Sequence, residues 1–570
     1  MSLIKENEKY LKELINSLGY EINNVTLEPS SRKEFGQYQI NVAMQLASTY
    51  HINPREIANK IAQNLDERFV NVNIQGPGFI NLSLSDDYLM NYFNTKTFED
   101  MIDKEEPKTI IIDFGGANAA KSLHVGHMRS ANIGEALRRL LKIFGNNVIS
   151  DVHLGDLGRQ AGMLISQLQI ENPNLPFFDE NYKGEYPKLN ITTKDLGRMY
   201  PLASKLAKED PLRMEEVRRI TAEIDKGNKV YTDLWKQMVE VSKKDIKKVY
   251  DRLNCHFDLF EGELDSFKDI PATTEIMKPY LYESEGALVI DVGQEDDKKE
   301  MPPLLYIKTD GATIYATRDL ATIYSRVKRF NPDEIIYVVD ERQGLYFEQV
   351  FRASYKTGLV KNTKLEHCGF GTVNGIDGKP YKTRDGGVME LSNLIELIRC
   401  EITKKIKDEI PDDEKDNIIE KLTIATIKFT DLLPYRKTDY IFDPVKFSSV
   451  EGKTGPYILY TIVRIKSILN KLDIDSKITS INNDEMRNVL IKLTEISTSL
   501  TNSYNERTLN YIAEILYEIC SLFNKFYNSC NIINETDTEK KASYVAFVKV
   551  VYNYIKKLLN ILAIDEVEKM

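Results

Sequence analysis

The sequence is poor in residues that staple or export a chain. Its five cysteines, Cys255, Cys368, Cys400, Cys520 and Cys530, are scattered and form no CxxC pair. That argues against a zinc ribbon or a disulfide framework and leaves buried free thiols as the expectation. No stretch approaches the ~20 apolar residues that span a membrane. The opening residues, Met1-Ser2-Leu3-Ile4-Lys5-Glu6-Asn7, carry no apolar signal core, so a cytoplasmic location is expected. A basic excess is also missing: net charge is −10 and the sequence pI is near 5.5. This weighs mildly against a nucleic-acid partner, although RNA feels the potential of one face rather than the chain total. There is no convincing internal repeat and no long low-complexity tract. The stretch 113–127 also lacks the GxGxxG fingerprint of a dehydrogenase.

What is present describes a multidomain α/β protein. A chain of 570 residues accommodates about three to five domains and more than one core. Residues 1–98 read as a small α/β module. Helical patterns occupy about 3–18 and 55–66. An alternating stretch, Val70-Asn71-Val72-Asn73-Ile74, then Gly76-Pro77-Gly78 and 79–84, predict a hairpin. The charged stretch 99–107 reads as a linker. From 108 the pattern changes. Thr109-Ile110-Ile111-Ile112-Asp113 predicts a buried parallel strand, 124–143 a helix, and Val148-Ile149-Ser150-Asp151-Val152 a second strand, which makes a βαβ unit. Residues 333–340 give a further strand. The expectation is a doubly wound, Rossmann-like catalytic domain over 108–395, split by a helical insertion near 160–260. Beyond about 390 the apolar spacing of three and four predicts an all-α domain, 396–570.

Three local signals carry chemistry. The first is Lys121-Ser122-Leu123-His124-Val125-Gly126-His127, where a helix begins just after the first strand. Ligands of open α/β sheets bind at the carboxyl ends of strands, and a helix N-terminus offers free N–H groups to phosphate. His124 and His127, three apart, share one face of the first turn, and Gly126 leaves room for a flat base. An isolated HxxH is more often a capping or core pair; the strand–turn–helix context reverses that. The second signal is the glycine-rich basic loop around Lys382, Thr383, Arg384 and Gly386, suited to closing over a triphosphate. The third is Tyr315 to Asp319 with Tyr337 to Gln343, whose acidic and amide groups suit a polar, cationic substrate. For the last two, an ordinary surface loop remains open.

These segments, in this order, resemble class I aminoacyl-tRNA synthetases, and the arginyl-tRNA synthetase family in particular, over nearly the whole chain. His124-Val125-Gly126-His127 resembles the HIGH signature. Phe35-Gly36-Gln37-Tyr38-Gln39 and Gly76-Pro77-Gly78-Phe79-Ile80-Asn81 resemble the N-terminal tRNA-binding domain, and Glu451 to Tyr457 the start of the helical anticodon-binding domain. The resemblance implies an arginine–tRNA ligase that uses ATP and Mg2+, with tRNA(Arg) and L-arginine as partners and a monomer as the expected state. It implies catalytic roles for Lys121, His124, His127, Lys382 and Arg384, and ATP contacts from His124, Gly126, His127, Lys382, Thr383 and Gly386. Asp113, Asn118, Tyr315, Asp319 and Gln343 would hold arginine. Tyr457, Tyr460, Tyr527 and Met570 would meet the anticodon. No residue is assigned to a metal. The family also implies that tRNA must bind before arginine is activated. Two alternatives stay open at this stage: a class I synthetase for another amino acid, and a non-catalytic tRNA-binding relative. The chain departs from the family at Asp113, often Glu, and at Gly115-Gly116-Ala117, usually Ser-Ser-Pro. It departs again at Gln37 for Asp, Lys453 for Asn, Leu459 for Gln and Lys549 for Arg.

Overall fold

The computed structural model describes residues 2–570 except 31, 33, 310–312, 380, 382–388 and 407–409. Its centre is a four-stranded parallel sheet. The strands lie in the order Lys364–His367, Glu334–Tyr337, Thr109–Asp113, Asn147–Asp151. Ile110, Ile111 and Ile112 are fully buried, because side chains alternate between two covered faces. Ile110 and Ile112 join the core that includes Met128 and Leu137 of the helix Val125–Ile143, here the signature helix. Ile111 joins the opposite core with Leu320 and Ile323 of the helix Tyr315–Phe330, here the pocket helix.

The predicted insertion is four helices, Arg159–Glu171, Thr193–Glu209, Pro211–Asp225 and Lys229–Arg252, around a core that includes Trp235, Ile220 and Leu164. A small antiparallel sheet, Leu281–Ser284, Ala287–Ile290 and Leu304–Ile307, precedes the pocket helix. The sequence reading missed it: strands of four residues with mixed exposure give little periodic signal.

The N-terminal module is a four-stranded antiparallel sheet with the predicted hairpin, Phe69–Gln75 and Phe79–Leu84, and four helices. The stretch read as a linker begins instead as an anchored turn. Phe98, Met101 and Ile102 are buried, and the Phe98 ring lies 5.8 Å from that of Tyr554 on the helix Thr538–Ile561. Its apolar residues are interleaved with Glu99 and Asp100, which mask them in the sequence.

The C-terminal region is helical as expected, with one strand among its described residues. Tyr440–Ile441 pairs in parallel with Val373–Asn374, stitching the helical region to the catalytic part. The N-terminal module rests on the same helices through Tyr38 Oη and Thr494 Oγ1 at 2.6 Å and the Arg487–Asp86 pair at 2.7 Å. Cys255, Cys368 and Cys520 are buried, but Cys400 is exposed. It lies on the helix Leu391–Thr403, whose buried positions are 391, 394, 395, 398 and 402, so position 400 faces outward. Among the described residues no helix is long and apolar enough to cross a membrane.

Candidate active site

The carboxyl end of the parallel sheet is where the chemistry-bearing residues meet. His124 caps the signature helix with extended backbone, φ −121° and ψ 174°. Its Nδ1 accepts from the Gly126 N–H at 3.1 Å, and His127 Nδ1 accepts from the His124 N–H at 3.0 Å. The two rings lie against each other, centroids 3.8 Å apart and planes tilted by 33°. Burial lowers the pKa of His124, with help from Lys121; burial, His124 and Lys121 bring His127 down to about 3. Both imidazoles are therefore neutral near pH 7. A neutral imidazole whose Nδ1 accepts must carry its proton on Nε2. A Cβ at Gly126 would lie 2.9 Å from His124 Cε1, so this glycine makes room for the first histidine as well as leaving an open surface. Lys121 is exposed, its Nζ 5.2 Å from the Tyr200 ring centre.

Lys382, Thr383, Arg384 and Gly386 lie outside the described residues. Their flanks are fixed beside the histidines. The Met389 N–H donates to the Tyr381 carbonyl at 3.4 Å, the Val125 N–H to the Met389 carbonyl at 3.2 Å, and the Leu391 N–H to the Leu123 carbonyl at 2.8 Å.

The pocket helix presents Tyr315, Asp319, Thr322 and Arg326 at spacings of four, three and four, hence on one face. Arg326, 1% exposed, reaches the sheet: its Nη2 donates to Asp113 Oδ2 at 2.6 Å and Asp151 Oδ2 at 2.7 Å. Asp113 and Asp151 are register partners on adjacent strands, so the guanidinium removes a repulsion between like charges. Burial raises the Asp113 carboxyl against the pull of Arg326. Asp319 accepts from Tyr346 Oη–H, and burial raises its pKa too. Glu263 accepts from Arg318 Nη1 at 2.8 Å. Burial, opposed by Arg318 and reinforced by Asp319, pushes it up to about 7. Burial likewise brings Asp156 to about 6. Asp113, Asp319 and Glu263 thus each commit one oxygen to a resident donor, and the other has no protein partner among the described residues.

The remaining predicted positions divide. Asn118 pairs with Gly155 across the strand ends; a Cβ at 155 would lie 2.4 Å from Asn118 Oδ1, so the glycine leaves that side chain its present position. Tyr315 is 65% exposed at the start of the pocket helix. Gln343 is exposed at the start of the helix Gly344–Lys356, one turn before Tyr346. The sequence reading missed Glu263, Arg326 and Tyr346. A local signal existed only in the acidic segment 261–265, whose composition is equally that of an ordinary surface turn. Asp113, Asp151 and His153 bring one ligand atom each within 4.8 Å. Arg326 already provides the positive charge there, which makes this grouping an ion pair.

A neutral imidazole pair at a helix start and an acidic pocket beside it fit activation of a cationic carboxylic acid by a nucleotide. Family comparisons agree. Residues 92–444 match the family described as class I (R) tRNA synthetases, catalytic domain; 5–84 match the arginyl-tRNA synthetase N-terminal domain, and 458–570 the DALR anticodon-binding domain. The chain belongs to the arginyl-tRNA synthetase family. It is 43% identical to the arginine–tRNA ligase of Alkaliphilus oremlandii, with all of both chains covered, and 40% identical to that of Agathobacter rectalis, with 97% of each covered. The crystal structure of arginyl-tRNA synthetase from Plasmodium falciparum superposes with a TM-score of 0.81 at 25% identity, covering 100% of this chain and 99% of that one.

The helical domain of this family member holds the residues expected at the anticodon. Tyr457 and Tyr460 lie on the helix Gly455–Lys471 and Tyr527 on Asn510–Ser529. Arg464 joins them, its guanidinium 4.4 Å from the Tyr460 ring and 5.0 Å from the Tyr527 ring. It donates to Asn524 Oδ1 at 2.7 Å, and Asn524 Nδ2 donates to Tyr457 Oη at 3.2 Å. Met570 packs at the edge of the core, and the tail before it is tied to the same helix by Lys466 and Glu568 at 2.6 Å. The departures acquire reasons. Leu459 is fully buried and so faces the core. Gln37 Oε1 accepts from the Leu84 N–H at 2.9 Å, and Lys549 Nζ donates to the Ile474 carbonyl at 2.7 Å. Lys453 pairs with Glu514.

Proposed function

We propose that the chain joins L-arginine to the terminal ribose of tRNA in two steps at this one site. The arginine carboxylate attacks the α-phosphate of ATP, forming arginyl-adenylate and releasing pyrophosphate. A ribose hydroxyl of the tRNA then attacks the activated carbonyl, releasing AMP. The observation that carries this reading is the acidic pocket, Asp113, Asp319 and Glu263, placed beside the His124–His127 helix start. A synthetase for another amino acid would have no use for three half-satisfied carboxylates, and a non-catalytic relative no use for the paired imidazoles.

In this reading Asp319 and Glu263 face the guanidinium, whose planar fork of five donors matches two carboxylates. Asp113 and Asn118 take the α-groups, with Tyr315 and Gln343 at the mouth. The Nε2–H groups of His124 and His127 are donors for the charge that builds on phosphate, each worth about 10²–10³ in rate. Exposed Gly126 accepts the base. Lys121, with Lys382 and Arg384, neutralises the departing pyrophosphate. Mg2+ would enter with ATP and would supply screening of the phosphate charge; the described residues offer it no separate carboxylate cage. Catalysis is by positioning and electrostatics. Residues 108–395 carry the chemistry as a monomer, while 1–98 and 396–570 hold the RNA, with Tyr457, Tyr460, Tyr527 and Met570 toward the anticodon. Charging total tRNA with each labelled amino acid tests the proposal. Arginine alone is expected to be incorporated, and incorporation of a different amino acid would overturn it.

A further inference from the structure

Past its second histidine the signature helix enters a polar cluster buried between three parts of the chain. Arg129 has a side chain 1% exposed. Its Nη1 donates to the Thr438 carbonyl at 2.9 Å and the Thr372 carbonyl at 3.4 Å. Its Nε lies 3.4 Å from Asp431 Oδ1, and its guanidinium 5.0 Å from the Tyr440 ring. Asp431, on the helix Asp412–Leu432, also accepts from Asn132 Nδ2 and from Tyr440 Oη–H, both at 2.9 Å. Lys428, fully buried one turn earlier, places Nζ 3.4 Å from Asn132 Oδ1. Arg129 Nε and Nη2 make no hydrogen bond. A buried ion pair that is only partly satisfied adds little net stability, since desolvation offsets the attraction. Its geometric effect is larger, because one guanidinium fixes two backbone carbonyls.

The Thr372 carbonyl lies on the path to Tyr381, and the Thr438 carbonyl leads into the strand paired with that path. Thr372 precedes Val373–Asn374, which pairs with Tyr440–Ile441. The Tyr381 N–H donates to the Val373 carbonyl at 3.3 Å, Met389 N–H to Tyr381, and Val125 N–H to Met389. The contacts close a ring: Arg129, Thr372, Val373, Tyr381, Met389, Val125, and one helical turn back to Arg129. We propose that Arg129 is a positioning residue that holds both flanks of the 382–388 segment against the His124–His127 helix start. Asp431 anchors that guanidinium from the helix Asp412–Leu432. This rests on the site being that of an arginine–tRNA ligase.

The test compares the parent with Arg129→Lys, Asp431→Asn and Tyr440→Phe, the last removing a single hydroxyl. Rapid-quench measurement of adenylate formation with saturating tRNA gives the amplitude, which counts competent sites, and the rate per site. The Michaelis constant for arginine and the Kd for tRNA are measured alongside. Arg129→Lys is expected to keep amplitude, arginine KM and tRNA Kd while losing about 10² in rate per site, the effect of a displaced catalytic group. Tyr440→Phe is expected to lose about tenfold. A parent-like rate per site in these variants, or a loss confined to amplitude, arginine KM or tRNA Kd, would overturn the proposal. If Arg129→Lys does not fold, Tyr440→Phe decides. A parent that charges no arginine overturns the functional reading and this inference together; a parent that charges while its variants match it overturns this inference alone.

Discussion

Arginine binding measured from about pH 5.5 to about pH 8 probes the pocket most directly. Glu263 is held at about 7 in the empty protein by burial, with Arg318 opposing and Asp319 reinforcing. A guanidinium pairs with the ionised carboxylate. Below pH 7 the incoming cation must displace a proton, so affinity falls about tenfold per pH unit until the value in the complex is reached. At about pH 6 the Kd for arginine should stand about tenfold above its plateau near pH 8. Stability follows the same linkage. A carboxyl raised from 4.5 to about 7 favours the protonated folded state. Glu263 therefore carries no penalty below pH 4.5, and it destabilises the empty protein progressively between those values. Above pH 7 it costs about 3 kcal/mol. Bound arginine offsets that cost, so its thermal stabilisation should be larger at about pH 8 than at about pH 6. Calorimetric titration in buffers of different ionisation enthalpy reads both affinity and proton release, with close to one proton expelled per arginine near pH 6. Glu263→Gln should flatten the profile and weaken binding at high pH by about 10²-fold or more, the effect of truncating one member of a buried charge pair. A flat affinity with no proton release, in protein that charges tRNA normally, would refute the placement of Glu263 at the guanidinium.

Three further outcomes are expected. Replacing His124 or His127 by Ala should slow adenylate formation by about 10²–10³ while tRNA binding is kept; near-normal charging by the double variant would sink the phosphate assignment. Asp319→Asn puts donors where acceptors are needed and should abolish efficient use of arginine, while the parent rejects citrulline; efficient charging of citrulline or lysine by the parent would show the pocket to be misplaced. Pyrophosphate exchange should be negligible without tRNA and appear when it is added. It should be lost at limiting tRNA when Tyr457 and Tyr460 are both replaced by Ala, and rescued at high tRNA; strong exchange in RNA-free protein would refute the gating.

The elements legible in the sequence were those whose burial is periodic and complete. Ile110, Ile111 and Ile112 could only be a strand covered on both faces, and the hairpin around Gly76-Pro77-Gly78 carried its own turn chemistry. The paired imidazoles were legible because both partners lie within four residues. What stayed hidden depends on distance in sequence. Arg326 and Asp113 are 213 residues apart and Arg318 and Glu263 are 55 apart, and no local pattern marks either pair. The strand Tyr440–Ile441 is two residues long and owes its existence to a partner from another domain. Cys400 was misjudged because cysteine is buried on average, whereas its position in the helix decides its exposure.

The Asp at position 113 shows how a family departure is absorbed by its surroundings. On the sequence alone, the shorter side chain has to reach further than the more frequent Glu. In the structure Asp113 does not reach; a donor comes to it. Arg326 lies seven residues along the pocket helix from Asp319, and it spans the gap to the strand ends, binding Asp113 and Asp151 through one nitrogen. Because the two aspartates are register partners, the guanidinium fixes the side-chain rotation of both. Asp113 is left with one oxygen tied and one available, the state that Arg318 imposes on Glu263 and Tyr346 on Asp319. The pocket is therefore built from the pocket helix outward, and the length of any one acidic side chain matters less than the donor that orients it.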